Sequence, residues 1–224
     1  MNPGAFHIAI FCKAPIPGTV KTRLIPEYGE QGAADIYVQL TERTLATVHT
    51  TCAAHNASAS LWVADNIAHE SVQRWSHQFN FRTHQQIGAD LGARMLHCLQ
   101  TMHGEHERAA HEHKPVLLIG TDCPAFTTDH LLHAANALGA SCPWVFAPAE
   151  DGGYVLIGSN APRAEPFANI AWSTSVVMAQ TRAALSAANL KWAEMDALWD
   201  VDVAADVVLA ERNSFLLKQR LHRG

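Results

Sequence analysis

Residues 115–124 read Pro-Val-Leu-Leu-Ile-Gly-Thr-Asp-Cys-Pro. A short apolar run between a proline and a glycine, with no polar alternation, is the pattern of a strand buried on both faces. The run then breaks into Gly120-Thr121-Asp122-Cys123-Pro124, which puts a carboxylate at the tip of that strand. In open α/β sheets, ligands bind beyond the carboxyl ends of the strands. A carboxylate there can hold Mg²⁺, an ion that takes a few hard oxygens together with phosphate oxygens and water. The alternative is that Asp122 caps the turn before Pro124.

Similar runs recur outward in both directions. Phe6–Lys13 reads as a buried strand stopped by Pro15, Pro17 and Gly18, and Gly29–His55 as a long helix with Ile36, Leu40, Leu45 and Val48 on one side. Ser60–Ala64 is a strand, Ser71–Phe79 a helix and Phe81–His84 a short strand. Leu91, Met95, Leu96 and Leu99 mark a helix over Leu91–Met102. Beyond the central run, Asp129–Leu138 is a helix capped by Thr128. Trp144–Ala149 and Tyr154–Gly158 are strands joined by a turn at Asp151-Gly152-Gly153, where glycine tolerates positive φ. Val176–Ala188 and Ala204–Leu221 close the chain as helices. Strands alternating with helices predict one α/β domain over residues 1–224, with a mixed, mainly parallel sheet covered by helices on both faces.

Composition narrows the classes. The 224 residues carry 16 Lys+Arg against 21 Asp+Glu, a net charge of -5, which disfavours nucleic acid as a partner because phosphate neutralisation needs clustered cations. Cys12, Cys52, Cys98, Cys123 and Cys142 are scattered and odd in number, as expected of reduced thiols. Apolar runs are far shorter than the roughly 18 residues of a membrane span, and no basic stretch precedes the first one. A cytoplasmic protein with no membrane partner is expected.

Three sites carry candidate chemistry. The loop after the first strand holds Lys13, Gly18, Lys21, Thr22 and Arg23, cations and hydroxyls that suit a polyphosphate; it matches neither a Walker loop nor a dinucleotide fingerprint. An ordinary polar surface loop is the other reading. Asp200-Val201-Asp202 lies just before the last helix; in an extended segment the two carboxylates share a face, unless Asp202 serves as a helix cap. Asp122, Asp200 and Asp202 with a cationic loop form the set that metal-assisted transfer on a nucleotide requires, with Lys21 and Asp122 as the candidate catalytic pair. In Gln85–Arg94, the Gln86 amide suits a base edge and Gly88 permits close backbone approach, against the simpler reading of a polar turn. Trp172-Ser173-Thr174-Ser175 is either a lid over an acceptor or a capped helix start. His103, His106, His111 and His113, with His97 just upstream, read as a polar, solvated connection, against metal ligation by imidazole. Phe215, Leu216, Leu217 and Leu221 either pack inward or form a homodimer contact.

Lys13…Pro17-Gly18…Lys21-Thr22-Arg23-Leu24, Gln86…Asp90-Leu91-Gly92-Ala93-Arg94, Gly120-Thr121-Asp122-Cys123-Pro124, Glu150-Asp151-Gly152-Gly153-Tyr154 and Asp200-Val201-Asp202 occur in this order. Together they resemble the radical-SAM/selenodomain-associated transferase 1 family of the nucleotide-diphospho-sugar transferase superfamily, over roughly residues 8–206. The resemblance implies a glycosyltransferase-A fold. Within the superfamily the chain is similar to 2-phospho-lactate and molybdenum-cofactor guanylyltransferases. By that resemblance, Lys21 and Arg23 hold a triphosphate, Asp122 and Asp202 hold Mg²⁺ (or Mn²⁺), and Gln86 reads the base. Asp151, Gly152, Gly153 and Trp172 would line the acceptor side. The implied activity is nucleotidyl transfer to a small phosphorylated or hydroxylated acceptor with release of pyrophosphate. Glycosyl transfer from a nucleotide sugar and a non-catalytic nucleotide-binding or assembly module are the alternatives. Two departures stand out: Gly18 alone replaces the several glycines usual in the opening loop, and Asp122 alone replaces the D-x-D of many glycosyltransferases.

Overall fold

The computed structural model describes residues 3–110, 114–139 and 141–218. Seven strands form one sheet: β1 (Phe6–Cys12), β2 (Ala57–Val63), β3 (Arg82–Gln85), β4 (Val116–Ile119), β5 (Trp144–Pro148), β6 (Tyr154–Ser159) and β7 (Trp192–Glu194). Their order is β3-β2-β1-β4-β6-β5-β7. β1 pairs in parallel with β2 and β4, β2 with β3, and β5 with β7; only β6 runs against its neighbours β4 and β5. The α/β class and the mixed, mainly parallel sheet expected from the sequence are therefore present.

Helices α1 (Ile25–Ala54), α2 (Glu70–Phe79) and α4 (Thr128–Ala137) cover one face. There Phe6, Ile8 and Ile10 meet Leu45, Val48, Trp75 and Leu131. Helices α3 (Leu91–Ala110) and α5 (Val177–Ala187) cover the other, where Ala9, Trp62 and Phe146 meet Met95, Leu99, Met102 and Leu185. Burial on both faces is why β4 reads as an unbroken apolar run and β1 as one interrupted only by His7. Each fully buried Leu, Ile or Phe contributes about 1.5–3 kcal/mol by leaving water. The last helix, α6 (Ala204–Arg212), packs Val207 and Ala210 with Val201 against Leu24, Ile36 and Leu40. That third cluster anchors residues 200–202 beside the loop that follows β1.

Four expectations need correction. α3 continues through His103 and His106, because Met102 and His103 extend its buried stripe by another turn; His103 Nε2 donates to Ser159 O at 3.1 Å. The polar residues between read as a loop only because their outer face is solvated, and His111 and His113 lie outside the described residues. The cap of α4 is Thr127, whose hydroxyl accepts from the His130 amide, not Thr128. α6 stops at Arg212, since the chain reverses at Asn213 and Ser214, the latter at φ 59°. Leu216 then packs inward and the Phe215 ring lies under the Arg43 guanidinium at 4.5 Å, whereas Leu217 is exposed and Leu221 lies outside the described residues. Finally, β7 was not expected at all. Among the described residues no helix is long and apolar enough to cross a membrane.

Candidate active site

The carboxyl ends of β1 and β4 and the amino end of antiparallel β6 open onto a cavity of about 710 Å³. The first wall is the loop after β1. Its start is fixed from two sides: the Lys13 amide donates to Tyr37 Oη and the Ala14 amide to Asp65 Oδ1, both at 2.8 Å. It turns at Gly18 (φ 82°) and ends at Lys21, a non-glycine residue in the left-handed region (φ 47°), before a 3₁₀ turn over Thr22–Leu24. Leu24 is fully buried and so locks the turn to the core.

Lys21 is the electrostatic centre. Its side chain is only 6% exposed, and Nζ lies 2.9 Å from Asp122 Oδ1 and 3.3 Å from Asp202 Oδ1. It also donates to Val201 O at 2.6 Å. Burial alone would lower the ammonium pKa, but Asp122 and Asp202 outweigh it and hold Lys21 above its ordinary value. Arg23, largely exposed, reaches Asp202 Oδ2 at 3.2 Å and keeps the rest of its guanidinium facing solvent.

The second wall is acidic. The Val201 amide donates to Asp122 O at 3.0 Å, tying the 200–202 segment to the tip of β4. Asp202 does not cap α6; the Asp206 carboxylate accepts from the amides of Asp202 and Val203 instead. This frees the Asp202 carboxylate for Lys21 and Arg23. Asp151, Asp200 and Asp202 bring carboxylate oxygens within 4.8 Å of one another. Burial, with Asp202 and Asp151 adding repulsion, pushes Asp200 up to about 6. A cluster of hard oxygens at carboxylates that repel one another fits Mg²⁺ or Mn²⁺. Asp122 stands apart from this trio: its solvent-shielded Oδ1 is matched by Lys21.

Lys13, Lys21, Thr22, Arg23, Gln86, Asp122, Asp151, Gly153, Trp172, Asp200 and Asp202 all line the cavity. Gly18, Gly88 and Gly152 do not, and two of these three have evident packing reasons. A Cβ at Gly88 would lie 2.6 Å from the Arg94 amide nitrogen, and one at Gly152 (φ 92°) would overlap Ser175 O. Gln86 spends its amide hydrogens on the scaffold, donating to Trp62 O at 2.8 Å, which leaves its oxygen as the group to offer a ligand. Trp172 rests directly on Gly92, where any Cβ would strike its ring. Ser173 and Thr174 of the expected lid segment also line the cavity, as do Thr19 and Arg94, to which the sequence reading gave no role of their own, although Arg94 lies within the Gln85–Arg94 stretch. Cys123 beside Asp122 is buried, and burial pushes its thiol up to about 12, so no thiolate nucleophile is available there.

The fold recurs in solved transferases. A protein of Desulfovibrio desulfuricans G20, provisionally named a nucleotide-diphospho-sugar transferase, matches with a TM-score of 0.80 and 27% identity, over 93% of this chain and 87% of its own. A cytidylyltransferase from Leptospira borgpetersenii serovar Hardjo-bovis matches at 0.56 and 10% identity, over 98% of this chain and 100% of its own. Glucosyl-3-phosphoglycerate synthase from Mycobacterium tuberculosis, solved with Mn²⁺, uridine-diphosphate-glucose and phosphoglyceric acid, matches at 0.50 and 8% identity, over 95% of this chain and 77% of its own. The chain thus has the nucleotide-diphospho-sugar transferase fold. No curated protein matches it in sequence. A family described as "Uncharacterized protein conserved in bacteria (DUF2064)" matches residues 47–174, more than half of the sequence, and the chain belongs to that family.

Proposed function

We propose that the protein is a Mg²⁺- or Mn²⁺-dependent transferase that takes a nucleoside triphosphate and passes its nucleotidyl group to a small phosphorylated or hydroxylated acceptor. The carrying observation is Lys21, a buried cation wedged between Asp122 and Asp202 at the mouth of a strand-tip cavity. The motif order that resembles the radical-SAM/selenodomain-associated transferase 1 family supports the same reading.

Charge argues for the metal. Lys13, Lys21, Arg23 and Arg94 face Asp122, Asp151, Asp200 and Asp202 across the cavity, four cations against four carboxylates. A triphosphate adds several negative charges to that balance, so its affinity depends on a divalent ion. Asp151, Asp200 and Asp202 are the residues that would hold it, with Asp122 paired to Lys21 beside them. When bound, the ion supplies Lewis-acid neutralisation of the phosphate oxygens.

The chain's own groups do the rest. Lys13 and Arg23 hold the phosphates, Lys21 sets a positive field beneath them while its protons go to Asp122, Asp202 and Val201 O, and Gln86 offers its carbonyl oxygen to an N–H of the base. The acceptor enters between Asp151, Gly153 and Trp172. Its oxygen, a phosphate oxygen or a hydroxyl that gives up its proton to solvent, forms a bond to the α-phosphorus while the bond to the bridging α–β oxygen breaks, and pyrophosphate leaves with the electron pair. Lys21 stabilises the charge that develops on the phosphate oxygens.

The test is a thermal-shift panel of the four nucleoside triphosphates and common nucleotide sugars, with and without Mg²⁺ or Mn²⁺. A ligand at a hundred times its Kd adds about 2.7 kcal/mol, which at this size raises Tm by roughly 5–10 °C. A metal-dependent shift from one triphosphate, absent in Lys21→Ala, is expected. A shift from nucleotide sugars alone would replace this reading with glycosyl transfer, which the name of the Desulfovibrio neighbour favours. No shift from either class overturns both.

A further inference from the structure

The opposite edge of the sheet carries a second cleft, of about 820 Å³. The parallel strands begin there, so His7 of β1, Ser58 and Ser60 of β2, and Arg82 and His84 of β3 come together, overlaid by Glu105, His106 and Arg108 of α3. It lies at the amino ends of β1–β3, whereas the candidate active site lies at their carboxyl ends. None of its residues has a part in the proposed transfer.

The polarity of its floor follows from hydrogen-bond chemistry. His7 is buried, with Nδ1 2.8 Å from Ser58 Oγ and Nε2 2.8 Å from Ser60 Oγ. Trp62 Nε1, which can only donate, donates to Ser60 Oγ at 3.0 Å. Ser60 is itself buried, and with no other acceptor for its hydroxyl among the described residues we assign its proton to His7 Nε2. The proton of neutral His7 then sits on Nδ1 and goes to Ser58 Oγ. The relay ends at Ser58, whose own hydroxyl proton is left to donate outward from an exposed position.

Charge points the same way. Among the described residues, Arg82 and Arg108 form no ion pair and Glu105 is the single carboxylate lining the cleft. Arg108 stands in the last turn of α3, where it offsets the negative end of that helix dipole. His106 Nδ1 is shielded from water and has no hydrogen-bond partner among the described residues. Phe79 and Phe81 border the cleft but are buried in the core on the α1 and α2 face, so its open part, under α3, is polar. A metal fits less well, because no three His, Cys, Asp or Glu ligand atoms converge there among the described residues.

We propose that this cleft is a second binding site, for a small phosphate monoester. Arg82, Arg108 and the Ser58 hydroxyl hold the phosphate. Guanidinium groups suit phosphate because their planar donors pair with two of its oxygens at once.

The test is isothermal titration of the full chain with phenyl phosphate, with benzyl alcohol as the uncharged control. Saturable binding is expected for phenyl phosphate and not for benzyl alcohol. Arg82→Ala/Arg108→Ala, at exposed positions, should weaken it by about tenfold or more, and Ser58→Ala by a smaller factor. Lys21→Ala should leave it unchanged, which separates this cleft from the phosphate-binding loop at the other edge. Loss of binding in Lys21→Ala, full retention in the double arginine variant, or no saturation below about 10 mM overturns the proposal.

Discussion

Lys21 Nζ lies 2.9 Å from Asp122 Oδ1, joining the loop after β1 to the tip of β4 across the cavity between them. The ammonium is nearly inaccessible while Asp122 and Asp202 are about 40% exposed, so the lysine has given up most of its hydration and the carboxylates have not. Lys21→Met keeps the aliphatic stem and removes the charge. The two carboxylates can recover water, so the stability loss at pH 7.5 should be about 1–2 kcal/mol, below that of a fully buried pair. Urea denaturation measures it, and metal-dependent pyrophosphate release by the variant should fall below detection. Unchanged turnover would remove Lys21 from the mechanism.

The carboxylates divide into two groups with different expected effects. Asp151, Asp200 and Asp202 converge, whereas Asp122 faces Lys21. Asp200→Asn and Asp151→Asn should each weaken Mn²⁺ binding by about tenfold or more, because each removes a charged hard ligand. Asp122→Asn should weaken it less. Titration of free Mn²⁺ by its electron paramagnetic resonance signal reads all three. Equal losses would return Asp122 to the metal site that the sequence alone suggests.

Much of the sheet was legible because its strands are short apolar runs closed by glycine and proline. β7 was not, since Trp192-Ala193-Glu194 is too short and too polar to stand out; it exists only by pairing with β5. The end of α3 was hidden for a related reason. Its last turns bury Met102 and His103 yet carry enough histidine and glutamate to look like a solvated loop. In the site, residues next to a strand tip, such as Lys21 and Asp122, could be read from local punctuation. That Asp151 joins Asp200 and Asp202 could not, because the convergence of a hairpin turn with a distant segment is set by β6 inserting between β4 and β5.

His7 gives a pH dependence that is separate from the site. Burial first, then the nearby His106, His84 and Lys114, lowers its pKa from 6.5 to about 3. Above pH 6.5 both folded and unfolded states are neutral and the group contributes nothing to the slope. Between 6.5 and 3 the unfolded chain binds a proton that the folded chain refuses, so stability falls as pH falls, by up to about 5 kcal/mol across the whole window. Urea midpoints from pH 7.5 to 4.5 should therefore decline in the wild type and decline less in His7→Gln. Parallel slopes would show that His7 accepts a proton in the folded state.

Two glycines that hold the Trp172–Ser175 segment should respond differently to the same added methyl group. At Gly92 the new Cβ meets the Trp172 ring, a side chain at the cavity wall that can swing aside. At Gly152 it meets the Ser175 carbonyl, part of a backbone held by the Met178 amide donating to Gly152 O at 2.9 Å, and φ 92° is already hostile to alanine. Gly92→Ala should cost less than about 1 kcal/mol of stability but blue- or red-shift the tryptophan emission and raise the KM for the acceptor, because the indole leaves its seat. Gly152→Ala should cost more than about 2 kcal/mol, since backbone has to move to admit it. If Gly92→Ala proved as destabilising as Gly152→Ala, Trp172 would be a fixed part of the core and not an adjustable wall of the acceptor side.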